Sequence, residues 1–239
     1  MRYLLPLLAG VLGVAGPAAG QGEGDPAVWR VPHSDDFELN GEGTAAEWQR
    51  AEWRELTPRD STAARRATRV KILYSDTGIY FLFHCEDSVL TATMDADFMN
   101  LWTEDVVEVF LWPAEDFTVY FEYELSPLNY ELPILVPNYK GKYLGWRPWH
   151  YKGERRVRHE TATVGGPKES GAAISAWIAE FCIPYALLTP LGNVPPEPGT
   201  RWRANLYRVD HDTGHAVWSW REIEKVFHEY QRFGTLLFE

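Results

Sequence analysis

Eleven tryptophans, twelve tyrosines and eleven phenylalanines give this 239-residue chain an aromatic content of 14%, and several rings fall outside strand-like registers. Trp102 lies in MNLWTED, between the acidic DAD of residues 95–97 and a β-rich stretch. Trp146 and Trp149 flank Arg147 in LGWRPWHY, a loop marked by Gly145 and Pro148. Trp218 and Trp220 alternate along one face of AVWSWRE. A loop tryptophan offers a ring face on which the C–H bonds of a pyranose can stack, while nearby carboxylates and guanidinium groups hydrogen-bond the hydroxyls. The opposing reading is that such rings plug the ends of a core, since large aromatics are buried on average.

Carboxylates supply the second kind of chemistry. In DVVEVFLW, Glu108 shares a strand face with Val106, Phe110 and Trp112, while Val107, Val109 and Leu111 form the other face. A carboxylate between two apolar rows is costly to bury unless paired. It therefore points to solvent, meets an arginine or serves a site. Asp95, Asp97, Glu104 and Asp105 make an oxygen-rich group of the kind calcium prefers, although acidic loops are more often simply solvated. Asp210, His211 and Asp212 form either another cation loop or a plain turn. No GxSxG, HExxH, Walker loop or GxGxxG is present, and the seven histidines make no zinc spacing. Intrinsic catalysis is therefore not expected. Cys85 and Cys182 can pair in an oxidising compartment, but each lies in an apolar stretch, and the unpaired reading is favoured.

Elements with a period of two must carry these residues. In TVYFEYEL, Val119, Phe121, Tyr123 and Leu125 alternate with Tyr120, Glu122 and Glu124, as in a half-buried strand. Residues 79–85, 105–112, 156–164, 173–181 and 201–209 are likewise rich in β-branched and aromatic residues. Asp76-Thr77-Gly78 marks a hairpin turn, and PYALLTPL is the one short helix. Many strands with almost no helix predict an all-β, antiparallel sandwich, jelly-roll-like or immunoglobulin-like, in a single domain. DDFELNG near the start and FGTLLFE at the end are expected to pair and close it.

The ends and the charge narrow the setting. Residues 1–20 hold Arg2, an apolar run and small residues before Gln21, which reads as a cleaved signal peptide. Residues 21–34 read as a leader and 35–239 as the binding domain. Export to the periplasm or beyond is expected, with no membrane span in the mature form. A net charge of −11 repels phosphate backbones and argues against a nucleic-acid partner.

The ordered set DDFELNG, Trp48, RVKILYSDTGIYFLFHCED, LWTEDVVEVFLWP, AWIAEFCIPYALL, GTRWRANLYRVD and FHEYQRFGTLLF resembles the family 9 carbohydrate-binding modules and their DOMON-like relatives, here of a stand-alone bacterial type. The resemblance implies non-catalytic capture of polysaccharide ends or oligosaccharides, xylan- or cellulose-like, between two rings. It also implies structural calcium and service to partner glycoside hydrolases. Trp102 corresponds to one ring, and Glu108 to a carboxylate that bonds sugar hydroxyls. Phe227 stands where the second ring, usually tryptophan, is expected, and Glu122 or a neighbour replaces an expected basic residue. Trp146, Arg147 and Trp149 are expected to form a secondary rim. Two other classes remain open: a haem-binding DOMON-like domain, with His84, Met94 and Met99 as available ligands, and an envelope scaffold without sugar binding.

Overall fold

A computed structural model describes residues 25–60, 63–212 and 214–239; the expected signal peptide lies outside them. Fifteen strands are present: β1 (Val28–Val31), β2 (Arg54–Glu55), β3 (Thr57–Pro58), β4 (Thr68–Tyr74), β5 (Gly78–Glu86), β6 (Val106–Trp112), β7 (Val119–Leu125), β8 (Glu131–Tyr139), β9 (Lys142–Tyr143), β10 (Arg147–Pro148), β11 (Arg158–Val164), β12 (Ala176–Pro184), β13 (Arg201–Asp210), β14 (Ala216–Ser219) and β15 (Gly234–Phe238). These fifteen strands are counted among the described residues, where the one α-helix, α1 (Tyr185–Leu188), lies within the expected PYALLTPL segment. No helix among the described residues is long and apolar enough to cross a membrane.

The strands form two sheets, so the expected sandwich is present. The larger runs β1-β15-β13-β6-β7-β8-β10, with β14, β3 and β9 attached beside it; the smaller runs β11-β12-β5-β4-β2. Alternation sends Val107, Val109, Phe121 and Tyr123 from the larger sheet, and Phe81, Phe83, Trp177 and Phe181 from the smaller, into one shared core. Tyr123 meets Phe181 across the gap at 5.0 Å, and Phe181 stacks on Phe81 at 5.3 Å. Burying each such ring is worth about 1.5–3 kcal/mol.

Two expectations about the ends need correction. FGTLLFE does not pair with DDFELNG. It lies parallel to β1, with Val28 opposite Thr235 and Val31 opposite Phe238. Residues 28–31, read as part of a leader, are therefore a strand of the larger sheet. DDFELNG instead caps the outer face of the smaller sheet through side chains. Asp36 accepts hydrogen bonds from Ser75, Thr77 and Tyr80. Glu180 accepts from Trp48 Nε1 at 2.7 Å and from the Asn40 and Gly41 backbone N–H groups. Gly41 holds φ +76°, and a Cβ there would sit 3.1 Å from the Thr161 backbone.

Trp218 and Trp220 belong to the inner core rather than to a ligand face. The Trp220 ring lies so close over Gly234 that a Cβ there would meet it at 2.5 Å. Cys85 faces the inner core and Cys182 the outer cluster of Phe37 and Trp48, and both are free and buried. Burial pushes the thiols up to about 12 and about 11, so both are inert as nucleophiles at neutral pH.

A candidate saccharide cleft on the outer face of the larger sheet

The second face of β6, β7, β8 and β13 is not left to solvent. Val106, Phe110, Trp112, Tyr120, Leu132, Ile134, Val136, Tyr207 and Val209 form an outer cluster there with Leu101, Ile223, Tyr230 and Phe233. The half-buried strand expected of TVYFEYEL is therefore buried on both faces, because loop residues cover the side that alternation alone leaves open.

A cleft of about 380 Å³ opens in this cover. Strand register builds its floor. Glu108 lies directly opposite Glu124 across the β6–β7 pair, and Phe110 opposite Glu122. On the other side β13 places Tyr207 opposite Glu108. Three carboxyls thus share one patch of floor, exposed by only 2%, 4% and 1% for Glu108, Glu122 and Glu124. The walls are aromatic. Trp102, in the 3-10 turn Leu101–Thr103 just ahead of β6, meets Trp146 edge-on at 5.5 Å. Tyr143 lies flat on His228 at 4.0 Å, and Phe227 lies flat on Tyr207 at 4.3 Å. His215 and Val226 complete the rim.

Among the described residues no lysine or arginine lines this cleft. Burial is the first cause of a shift at each carboxyl, pushing Glu108 up to about 8 and Glu122 and Glu124 well above the usual range. Mutual repulsion adds to this: Glu108 raises both Glu122 and Glu124. Glu122 raises Glu124 further, and the nearby Trp102 backbone N–H pulls Glu124 the other way. His228 is no counter-ion. Burial pushes it down to about 4, so it is neutral, and its Nδ1 contacts the Tyr120 hydroxyl at 2.7 Å.

The structure brings together Trp102, Glu108, Phe227 and Trp146 of the expected site, together with the substituted Glu122. It separates the other two. Trp149 packs on the inner core, edge-on to Phe121 at 5.7 Å and 5.4 Å from the Arg155 guanidinium. Its backbone N–H bonds to Pro133, which turns the ring around the edge of the sheet and away from the cleft. Arg147 is exposed; its guanidinium donates to the neighbouring Trp146 carbonyl at 3.4 Å, and its backbone pairs with Leu135 at the sheet edge. Glu124, Tyr143, His215 and His228 were not foreseen. Two glutamates on one face of FEYEL were the available signal for Glu124. His84, Met94 and Met99 do not line the cleft.

The expected calcium ligands are not one group. Asp95 and Asp97 are exposed, and Asp97 accepts the Glu131 N–H. Glu104 turns inward on its own loop and accepts from the Thr93 and Met94 N–H groups. Only Asp105 joins a cluster, with Asp87 and Asp212, whose ligand atoms all lie within 4.8 Å of one another. Arg66 Nη1 lies 3.3 Å from Asp87 and 2.9 Å from Asp212, bridging the two. Asp210 brings the local carboxyls to four, against the guanidinium groups of Arg66 and Arg208. Burial lifts Asp87 to about 7 and Asp105 to about 8. An all-oxygen group with two carboxylates in excess of its cations suits a hard divalent ion.

Comparison with known proteins agrees with this architecture. Residues 39–132, which hold Trp102 and all three floor carboxyls, match the family model described as carbohydrate family 9 binding domain-like. The resemblance read from the sequence is thus borne out over that stretch. A candidate carbohydrate-binding protein from Bacteroides uniformis superposes with a TM-score of 0.73 at 17% identity, covering 89% of this chain and 99% of that one. A family 9 carbohydrate-binding module from Caldicellulosiruptor kristjanssonii, in complex with cellotriose, superposes with a TM-score of 0.62 at 15% identity, covering 89% and 93%. The glucose complex of a family 9 module from the same organism gives 0.60 at 15% identity, covering 88% and 96%. At these identities the likeness establishes the fold. No curated protein matches the chain.

Proposed function

We propose that this chain is an exported, non-catalytic carbohydrate-binding domain that captures the ends of xylan- or cellulose-like polysaccharides, or their oligosaccharides. One observation carries the reading: a cleft with buried carboxyls on its floor and Trp102, Trp146, Tyr143 and Phe227 around it. A pyranose stacks its C–H face on the rings while its hydroxyls donate to the carboxyls beneath. In this reading cleavage is left to separate glycoside hydrolases, and residues 1–20 direct export.

The test is calorimetric titration with xylo-, cello-, manno- and galacto-oligosaccharides. Trp102→Ala is expected to weaken binding by about 2 kcal/mol, roughly 30-fold, as loss of a central aromatic contact does. No heat from any sugar with the folded parent chain overturns the reading and favours a scaffold role.

Calcium is the proposed structural ion, held by Asp87, Asp105 and Asp212, where it neutralises the carboxyl excess beside β6 and β13. Saturating calcium at about 100 times its Kd is expected to raise unfolding stability by about 2.7 kcal/mol. Asp212→Asn should abolish most of that increment in thermal scans with and without chelator. A calcium effect that persists in the variant places the ion elsewhere.

A further inference from the structure

We infer that the preferred saccharide is cationic: a β-linked oligosaccharide with a protonated amino group in place of a ring hydroxyl, as in glucosamine oligomers. This rests on the saccharide reading above and names the class of sugar. The floor lacks the close donors that meet the other heavily buried carboxyls; even Glu131, with one oxygen likewise unpartnered, accepts from the Tyr151 hydroxyl. Glu180 is met by three N–H donors, Asp87 and Asp210 by Arg208, and Asp105 by two backbone N–H groups. Glu108, Glu122 and Glu124 meet no cationic side chain. The Oε2 atoms of Glu122 and Glu124 are fully enclosed without a hydrogen-bond partner, in side chains that line the cleft.

A neutral sugar seated over this floor offers hydroxyl donors but no charge, and it strips the remaining water from the carboxyls. Such a ligand is tolerated only while they hold their protons. An ammonium group supplies three donors, and its charge lets a floor carboxyl release its proton without leaving an uncompensated buried charge. The rings suit it too, because the negative faces of tryptophan and tyrosine attract a cation within about 6 Å.

The experiment is calorimetric titration of the full chain with glucosamine tetramer, its N-acetylated form, cellotetraose and 1,6-diaminohexane, at fixed low salt. The glucosamine oligomer is expected to bind about tenfold or more tighter than cellotetraose, the gain of one charged hydrogen-bonded contact. Acetylation should remove that gain, and added salt should shrink it. In Glu122→Gln and Glu124→Gln chains the ratio of the two affinities should fall toward one. Equal or weaker binding of the glucosamine oligomer beside good binding of cellotetraose overturns the inference and leaves the saccharide reading intact. Binding of the diamine as tight as the oligomer overturns it as well, since charge alone then suffices. Absence of binding by all three oligosaccharides overturns both.

Discussion

Replacing Arg208 with methionine is expected to lower the unfolding free energy by about 3–5 kcal/mol, the range seen when one partner of a buried ion pair is removed. Arg208 is fully buried on β13. Its guanidinium reaches Asp87 and Asp210 at 2.9 Å each, Thr68 at 3.2 Å and the Glu86 carbonyl at 2.6 Å, and it lies 4.5 Å from the Trp218 ring. It therefore ties β13 of the larger sheet to the ends of β4 and β5 of the smaller. Methionine preserves most of the volume and leaves buried carboxyls with Arg66 alone. Urea unfolding at neutral pH checks this, and a loss below about 1 kcal/mol would mean that the pair contributes no more than a surface ion pair.

Raising the pH from about 6.5 to about 8 is expected to cost several kcal/mol of stability in the absence of divalent ions. The floor carboxyls have folded-state pKa values above their ordinary 4.5, Glu108 at about 8 and Glu122 and Glu124 pushed well above 4.5 by burial. Their stabilisation is complete below the ordinary value and is lost as pH rises through the folded value. Glu131, lifted to about 7, and Asp105, to about 8, act in the same direction. The histidines oppose this only at lower pH. His228 is pushed down to about 4, and His84, His159 and His211 are also lowered, so their contribution is already complete above their ordinary 6.5. Across the upper interval the carboxyls act alone, at about 1.4 kcal/mol per pH unit for each one still holding its proton. Urea midpoints at several pH values check this. The Glu122→Gln/Glu124→Gln chain should show a flatter profile, and a parent midpoint that rises with pH would sink the account.

The sequence revealed the sandwich because inward alternation in β5, β6, β7, β12 and β13 is carried by Val, Ile, Phe and Trp, and because the Asp76-Thr77-Gly78 turn is local. β8 was passed over. Pro133 and Pro137 argue against a strand, yet one of its sides is met only by the short β9 and β10, where missing N–H groups cost little. Trp102 and Glu108 were singled out chiefly by the family resemblance; locally, only Trp102's polar neighbours and Glu108's place between apolar strand positions marked them. Glu124 was not singled out, since its place beside Glu108 depends on the β6–β7 register, a long-range pairing that periodicity does not encode. Trp149 misled for the same kind of reason: its loop composition resembles a rim, but a backbone bond to Pro133 carries it to the inner core. The acidic residues 95–105 were close in sequence, whereas the real cluster joins loops that meet only in the folded chain.

Asp105 accepts the N–H groups of Thr91 and His211 at 2.7 and 2.8 Å, while Glu104 fixes Thr93 and Met94. These bonds clamp the stretch that presents Trp102 before any ligand arrives. The conformational entropy of that stretch is surrendered during folding rather than at encounter, so stacking on this ring requires no loop to be ordered first. In the proposed binding role, association at such a wall would be limited by diffusion and orientation, and differences among competing ligands would be set by how slowly each one leaves.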